Sequence, residues 1–137
     1  MRPVPAVPPS DRVRILIADR DRFFADMLRA ALARHDEFDV VGIAGTPAET
    51  LEQAQALKPS VVVMDAEMPS SDESDVMRRL SELGEAPTVV LVVGEASRAA
   101  DTSVYDPGAA AYVRRSQEIL SVIDIIVALA HSGVAPA

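Results

Sequence analysis

The chain has 137 residues, the size of one ordinary domain, and 49% of them are hydrophobic, so it can form a packed core and is not disordered. The 13 basic and 21 acidic residues give a formal net charge of -8, which argues against binding nucleic acid through its phosphates. The absence of cysteine excludes disulfides, thiolate metal sites and cysteine nucleophiles.

The N-terminal segment 1–11 has four prolines and no uninterrupted apolar stretch. This composition fits neither a signal peptide nor a membrane anchor. It predicts a flexible, proline-rich tail, no membrane contact and a cytoplasmic location.

Beyond the tail, short apolar runs alternate with helical patterns. The runs are rich in β-branched residues and too short for helices, which is typical of strands buried in a parallel sheet. An acid and a glycine interrupt the second run, so we expect it at an edge of the sheet. The five predicted strands lie at 13–18, 38–44, 61–64, 89–93 and 111–114.

The helical patterns fill the gaps between these runs. The start of the second helix is predicted by adjacent residues: Thr46 can cap it, Pro47 suits its first position and Glu49 completes a capping box. Further helices are predicted at 76–83, weakly at 97–105, and at 119–130. The first helix has one apolar face at a 3.6-residue period, formed by Phe23, Phe24, Met27, Leu28, Ala31 and Leu32.

Strands that alternate with helices predict an α/β fold. We expect a doubly wound, five-stranded parallel sheet with the flavodoxin-like order 2-1-3-4-5 and helices on both faces. In such sheets the functional residues lie beyond the carboxyl ends of the strands. Asp19 and Asp65 follow neighbouring strands and should meet there. Two carboxylates at close range need a divalent cation, a basic side chain or protonation of one of them.

The segments at the strand ends resemble the receiver domains of two-component response regulators, most closely the NarL/LuxR type. The resemblance spans about 12–132 and rests on VRILIADRD, VVVMDAEMP, PTVVLVVGE and GAAAYVRRS. It implies that Asp65 occupies the position that a histidine kinase phosphorylates with the help of Mg²⁺, and that Tyr112 occupies the switch-aromatic position. It also implies that 133–137 begin a linker to a helix-turn-helix output domain, which this chain does not include.

The departures from this family predict a degenerate pocket. Arg20 replaces a carboxylate that helps to hold Mg²⁺, Val93 replaces a hydroxyl residue, and Arg115 replaces a lysine, so we expect weak Mg²⁺ binding or none. Arg20 could pair with Asp65 or Asp19, or stay solvated, and Asp21 could rotate inward to restore the metal site. The pocket residues are Asp19, Arg20, Asp21, Val93 and Arg115, and the ligands of any metal would be Asp19, Asp65 and Glu67.

These features predict an atypical receiver without enzymatic activity. We expect it to control an output domain, most simply of a DNA-binding transcription regulator, through protein contacts and largely without phosphorylation. One alternative is a conventional receiver phosphorylated on Asp65, and another is a receiver that senses a small-molecule ligand. The receiver itself is not expected to contact nucleic acid.

The last predicted helix has an apolar arc of about 220°, wider than one sheet face requires. An exposed apolar surface of that size is typical of an interface. It predicts a homodimer, with packing on an output domain or on the proline-rich tail as alternatives. The predicted contact residues are Val122, Ile125, Ile126 and Leu129.

Overall fold

The computed structural model describes residues 12–65, 73–93, 109–114 and 119–131. The predicted tail at 1–11, the weak helix at 97–105 and the linker at 133–137 lie outside this part of the chain.

The described residues form one parallel sheet with helices packed against it. The strand order is β2-β1-β3-β4-β5, and every neighbouring pair is parallel. This architecture confirms the predicted α/β class, and the interrupted strand β2 lies at an edge. The strands are β1 (Val13–Ala18), β2 (Phe38–Ala44), β3 (Val61–Asp65), β4 (Thr88–Val93) and β5 (Ala109–Arg114).

Four helices accompany the described strands. The second begins after its predicted cap, Thr46, whose side chain accepts a hydrogen bond from the Glu49 amide. The first is capped by Asp21, which was not predicted as a cap and which accepts a hydrogen bond from the Phe24 amide. The carboxylate of Glu49 binds the Gly45 amide at 2.9 Å. The helices are α1 (Arg22–Leu32), α2 (Pro47–Leu57), α3 (Glu73–Ser81) and α4 (Ile119–His131).

The core lies in two layers, one on each face of the sheet. Side chains alternate along β3, so Val61 and Val63 belong to one layer while Val62 and Met64 belong to the other. Helices α1 and α4 cover the first layer, and α2 and α3 cover the second. Because both faces are covered, the central strands β3 and β4 are apolar at nearly every position, as in other parallel sheets.

The apolar face predicted for α1 is wrong at two positions. Phe23 is 73% exposed and Met27 is 44% exposed. The buried stripe of the helix is formed by Ala25, Leu28 and Leu32. Phe23 and Met27 lie on the opposite side of the helix from Ala25, because two residues correspond to about 200° of rotation.

Candidate functional site at the carboxyl ends of the strands

Two acidic side chains lie buried where β1 and β3 end. The register pairs Ala18 with Met64, so Asp19 and Asp65 follow at the same level of neighbouring strands. Asp19 is 3% exposed and Asp65 is 2% exposed. The strand order reverses between these two strands, and this is the place in a doubly wound sheet where a functional site is expected.

Arg20 supplies positive charge to this pair. Its Nε lies 3.4 Å from Oδ2 of Asp65, an ion pair in which the arginine side chain is 49% exposed and the carboxylate only 1%. Of the positions considered for Arg20 from the sequence, the structure therefore contains the pairing with Asp65. The contact joins a solvated guanidinium to a buried acid.

The turn that carries Arg20 is held on both sides. The Asp19 carboxylate accepts a hydrogen bond from the Asp21 amide at 2.8 Å, and the Asp19 amide donates to the Ala44 carbonyl of β2 at 2.9 Å. The Asp21 carboxylate accepts from the Phe24 amide at 3.2 Å and so caps α1. In this structure Asp21 therefore serves as the N-cap of its own helix.

The described residues bring two buried carboxylates, Asp19 and Asp65, to this site. Mg²⁺ requires near-octahedral coordination by oxygen at about 2.1 Å, usually including one or two carboxylates. No cluster of three or more acidic or histidine side chains that could hold a metal occurs in the described ranges. The residue that follows Asp19 is a cation, Arg20, whose Nε lies against Asp65. Glu67, the third ligand considered from the sequence, lies outside these ranges.

For the other predicted pocket residues, the structure gives at most the position of the backbone in the sheet. Val93 ends β4, and the register that pairs Asp65 with Val92 puts it next to the site. Tyr112 lies in β5, paired with Leu91. Arg115 lies outside the described residues.

The predicted interface on α4 needs correction. Val122 and Ile126 are 1% and 0% exposed and belong to the core between α4 and the sheet, so neither can contact a second copy. Ile125 is half-buried and also packs against this core, while the exposed positions between 122 and 128 are Asp124 and Ala128. The apolar arc is wide because α4 packs against both the sheet and α1. Nothing is described of the Leu129 side chain.

Two surface features were not identified from the sequence. One is the pair Phe23 and Met27, whose exposure follows from their angle to the buried stripe of α1. The other is a groove at the amino ends of the strands, opposite the candidate site. It lies between the end of α2 and the connection from α3 to β4. Its lining residues are Ala54, Gln55, Lys58, Leu83, Gly84 and Glu85.

Within the described ranges, no helix combines the length and the apolar character needed to cross a membrane.

Comparison with known proteins places this site in context. Curated relatives include protein-glutamate methylesterase/protein-glutamine glutaminases from Syntrophomonas wolfei, at 35% identity over 79 residues, and from Alkalilimnicola ehrlichii, at 37% over 81 residues. These matches cover 58% and 59% of this chain. The matched region spans about a fifth of those proteins, 22% and 20% of their lengths.

Solved structures with the same fold include the signal receiver domain of the response regulator NarL from Mycobacterium tuberculosis. Its TM-score is 0.77 at 23% identity, with 88% of this chain and 98% of that chain covered. The response regulator domain of Thermotoga maritima CheB gives 0.74 at 21% identity, with coverages of 90% and 96%. At these identities the likeness concerns the fold alone.

The family model that describes the response regulator receiver domain matches residues 15–126. The match includes β1 from Ile15 onward, the other four strands in full, and the buried pair Asp19 and Asp65. The chain therefore belongs to the family of response regulator receiver domains.

Proposed function

We propose that this chain is an atypical receiver module that controls an output through protein contacts, largely without phosphorylation of Asp65. The observation that supports this proposal is the ion pair between Arg20 Nε and Asp65 Oδ2 at 3.4 Å. Phosphoryl transfer depends on positive charge placed around the moving oxygens and on a nucleophile held in line. Here the acceptor carboxylate faces a guanidinium that stands at the position of a metal ligand.

A second feature of the pocket supports the same proposal. The register places Val93 at the end of β4, beside Asp65. The resemblance puts a threonine or serine at this position, where its hydroxyl hydrogen-bonds the phosphoryl group. Valine has no donor, so a phosphoryl group on Asp65 would lose that bond as well as a metal ligand.

Acetyl phosphate with Mg²⁺, followed by intact-mass measurement, tests the proposal. We expect the wild-type chain to stay unmodified. Arg20→Asp combined with Val93→Thr should gain the mass of a phosphoryl group, because it restores a metal ligand and a hydroxyl. The same double variant carrying Asp65→Asn is the control, and it should gain nothing. A stable phosphoryl mass on Asp65 of the wild type would contradict the proposal.

A conventional phosphorylated receiver is the second candidate. It is favoured by Asp65 itself, which is retained at the end of β3 in a chain of this family. The mass measurement on the wild type separates the two candidates directly. Receiver domains are in general signalling modules without enzymatic activity, and either candidate assigns that role to this chain.

The output that such a receiver controls has two candidates. The resemblance to the NarL/LuxR type favours a helix-turn-helix DNA-binding domain and hence transcription regulation. The curated relatives are methylesterases that match this chain over about a fifth of their length, which favours a methylesterase domain. The reading frame beyond Ala137 distinguishes the two. Neither output requires the receiver to touch nucleic acid.

Pairing of two copies through α4 remains part of the proposal, restricted to the edge of the helix near Ile125. In sedimentation at tens of micromolar, Ile125→Glu should convert a dimer to a monomer. Val127→Glu is a matched control, because Val127 is also half-buried and packs on the core from the other edge of the same helix. A monomeric wild type would contradict the dimer. Equal effects of both variants would indicate that the interface does not lie at the Ile125 edge of α4.

A further inference from the structure

We propose that the guanidinium of Arg20 substitutes for the metal ion in this pocket, so that the site is charge-compensated without a divalent cation and rejects one. This inference rests on the proposed function and concerns what controls metal binding at the same site. Asp19 and Asp65 are both almost fully buried, and two buried carboxylates on adjacent strands need a compensating positive charge.

Arg20 is that charge, and the chain itself delivers it. It lies between Asp19 and Asp21, whose carboxylates are both engaged locally, one with the Asp21 amide and one with the first turn of α1. The backbone on either side of the arginine is therefore ordered. A cation attached to such a turn cannot diffuse away, so its local concentration does not depend on the metal content of the solution.

The same geometry opposes a metal ion. A divalent cation would have to bind the Asp65 oxygen that already faces Arg20 Nε at 3.4 Å, and the two positive charges would repel each other. Position 20 holds an arginine where a metal site would need an acid. Asp21 could act as a metal ligand only by giving up its role as the cap of α1. The charge disfavours the ion, and so does the number of ligands that the described residues offer.

The exposure of Arg20 shows how the site could be converted. Half of its side chain is in solvent, so the arginine is not needed to fill the core. Replacing it removes the repulsion and leaves the two carboxylates in place. An acid at this position would also add a ligand. The metal selectivity of the pocket therefore depends on a single side chain.

Calorimetric titration of the full chain with Mg²⁺, and separately with Mn²⁺, tests this inference. We expect no saturable binding to the wild type in the millimolar range, and binding to Arg20→Asp that is at least about tenfold tighter. Arg22→Asp is the matched control, since it makes the same charge change two residues away, at a surface arginine paired with Asp26. It should behave as the wild type does.

Circular dichroism establishes that each variant is folded. If Arg20→Asp does not fold, Arg20→Asn replaces it, and it too should bind Mg²⁺ more tightly than the wild type. Sub-millimolar binding to the wild type would overturn the inference. So would equal affinities of the Arg20 and Arg22 variants.

These outcomes are separate from those of the proposed function. A wild type that binds Mg²⁺ tightly but gains no phosphoryl mass contradicts the metal substitution alone. A wild type that rejects Mg²⁺ and is still phosphorylated on Asp65 contradicts the proposed function alone.

Discussion

The chain places an arginine near each end of β1, and the structure holds the two in different ways. At the amino end, Arg14 is half-buried and its Nη2 donates a 2.6 Å hydrogen bond to the Leu57 carbonyl, where α2 ends. Beyond the carboxyl end, Arg20 is half-exposed and its Nε lies 3.4 Å from a carboxylate oxygen of Asp65.

The difference separates a structural contact from an adjustable one. The Leu57 carbonyl is among the last of α2, where backbone acceptors lack partners within the helix, so the short bond from Arg14 completes the helix end. Lys58 follows in the left-handed region, with φ of 52°, and the next strand starts at Val61. In the longer ion pair the Arg20 side chain is itself half-exposed, so it can be replaced at little cost to the packing of the core.

Removing the contact at the amino end should have the largest effect. We expect Arg14→Met, which keeps an apolar stem, to lower the free energy of unfolding by about 1–2 kcal/mol because the end of α2 loses a charged donor. Urea denaturation measures the change. Arg34→Met, at an exposed position, is the control and should be near neutral. An equal loss of unfolding free energy in both variants would contradict a structural role for Arg14.

A second variant at the same end should change stability in the opposite direction. The Ser60 hydroxyl is buried and has no hydrogen-bond partner within the described part of the chain. We expect Ser60→Ala to raise the free energy of unfolding by up to about 1 kcal/mol, since it removes an unsatisfied polar group. Thr50→Val is the contrast, because the Thr50 hydroxyl donates to the Thr46 carbonyl at 2.8 Å and its loss should destabilise. A destabilised Ser60→Ala would indicate a partner for the hydroxyl.

The pair at the carboxyl end should contribute little to folding. A double-mutant cycle of Arg20→Ala and Asp65→Ala should give a coupling energy of about 1 kcal/mol or less, because half of the Arg20 side chain is hydrated. The cycle is measured by urea denaturation at low salt. A coupling above about 2 kcal/mol would mean that the pair behaves as a buried salt bridge.

Salt gives the finest distinction between the two ends. At about 1 M NaCl the Debye length falls to roughly 3 Å, so the coupling between the half-exposed Arg20 and Asp65 should weaken. The effect of Arg14→Met should persist, since its hydrogen bond is short and partly buried. Repeating the denaturation series at both salt concentrations checks this. Equal salt sensitivity at both ends would contradict the contrast drawn between the two arginines.

Several features were predictable because they depend on local pattern. The bounds of β1 and β2 agree with the sequence, because β-branched apolar runs of this length are too short for helices and suit buried strands. The cap at Thr46 was predictable because it is also local. A hydroxyl, a proline and an acid in that spacing suit the free backbone amides of the first helical turn. The position of Asp19 beside Asp65 followed from the parallel order of the strands.

Other features depended on what each side chain meets across space. Periodicity placed Phe23 and Met27 on an apolar face but could not locate the centre of the buried stripe, which the contacts of α1 with the sheet determine. The width of the α4 arc suggested a free interface, whereas α1 and the sheet together cover Val122 and Ile126.

The sequence by itself determined the alternation of strands and helices and the position of Asp19 beside Asp65 at the carboxyl ends of two neighbouring strands. These depend on residue identity, local propensity and the handedness of crossovers, all of which are properties of the chain. Only the tertiary structure decided that Arg20 faces Asp65 and that Asp21 caps α1. The direction of a long side chain is set by charges and backbone groups brought together from distant positions, which no local pattern encodes.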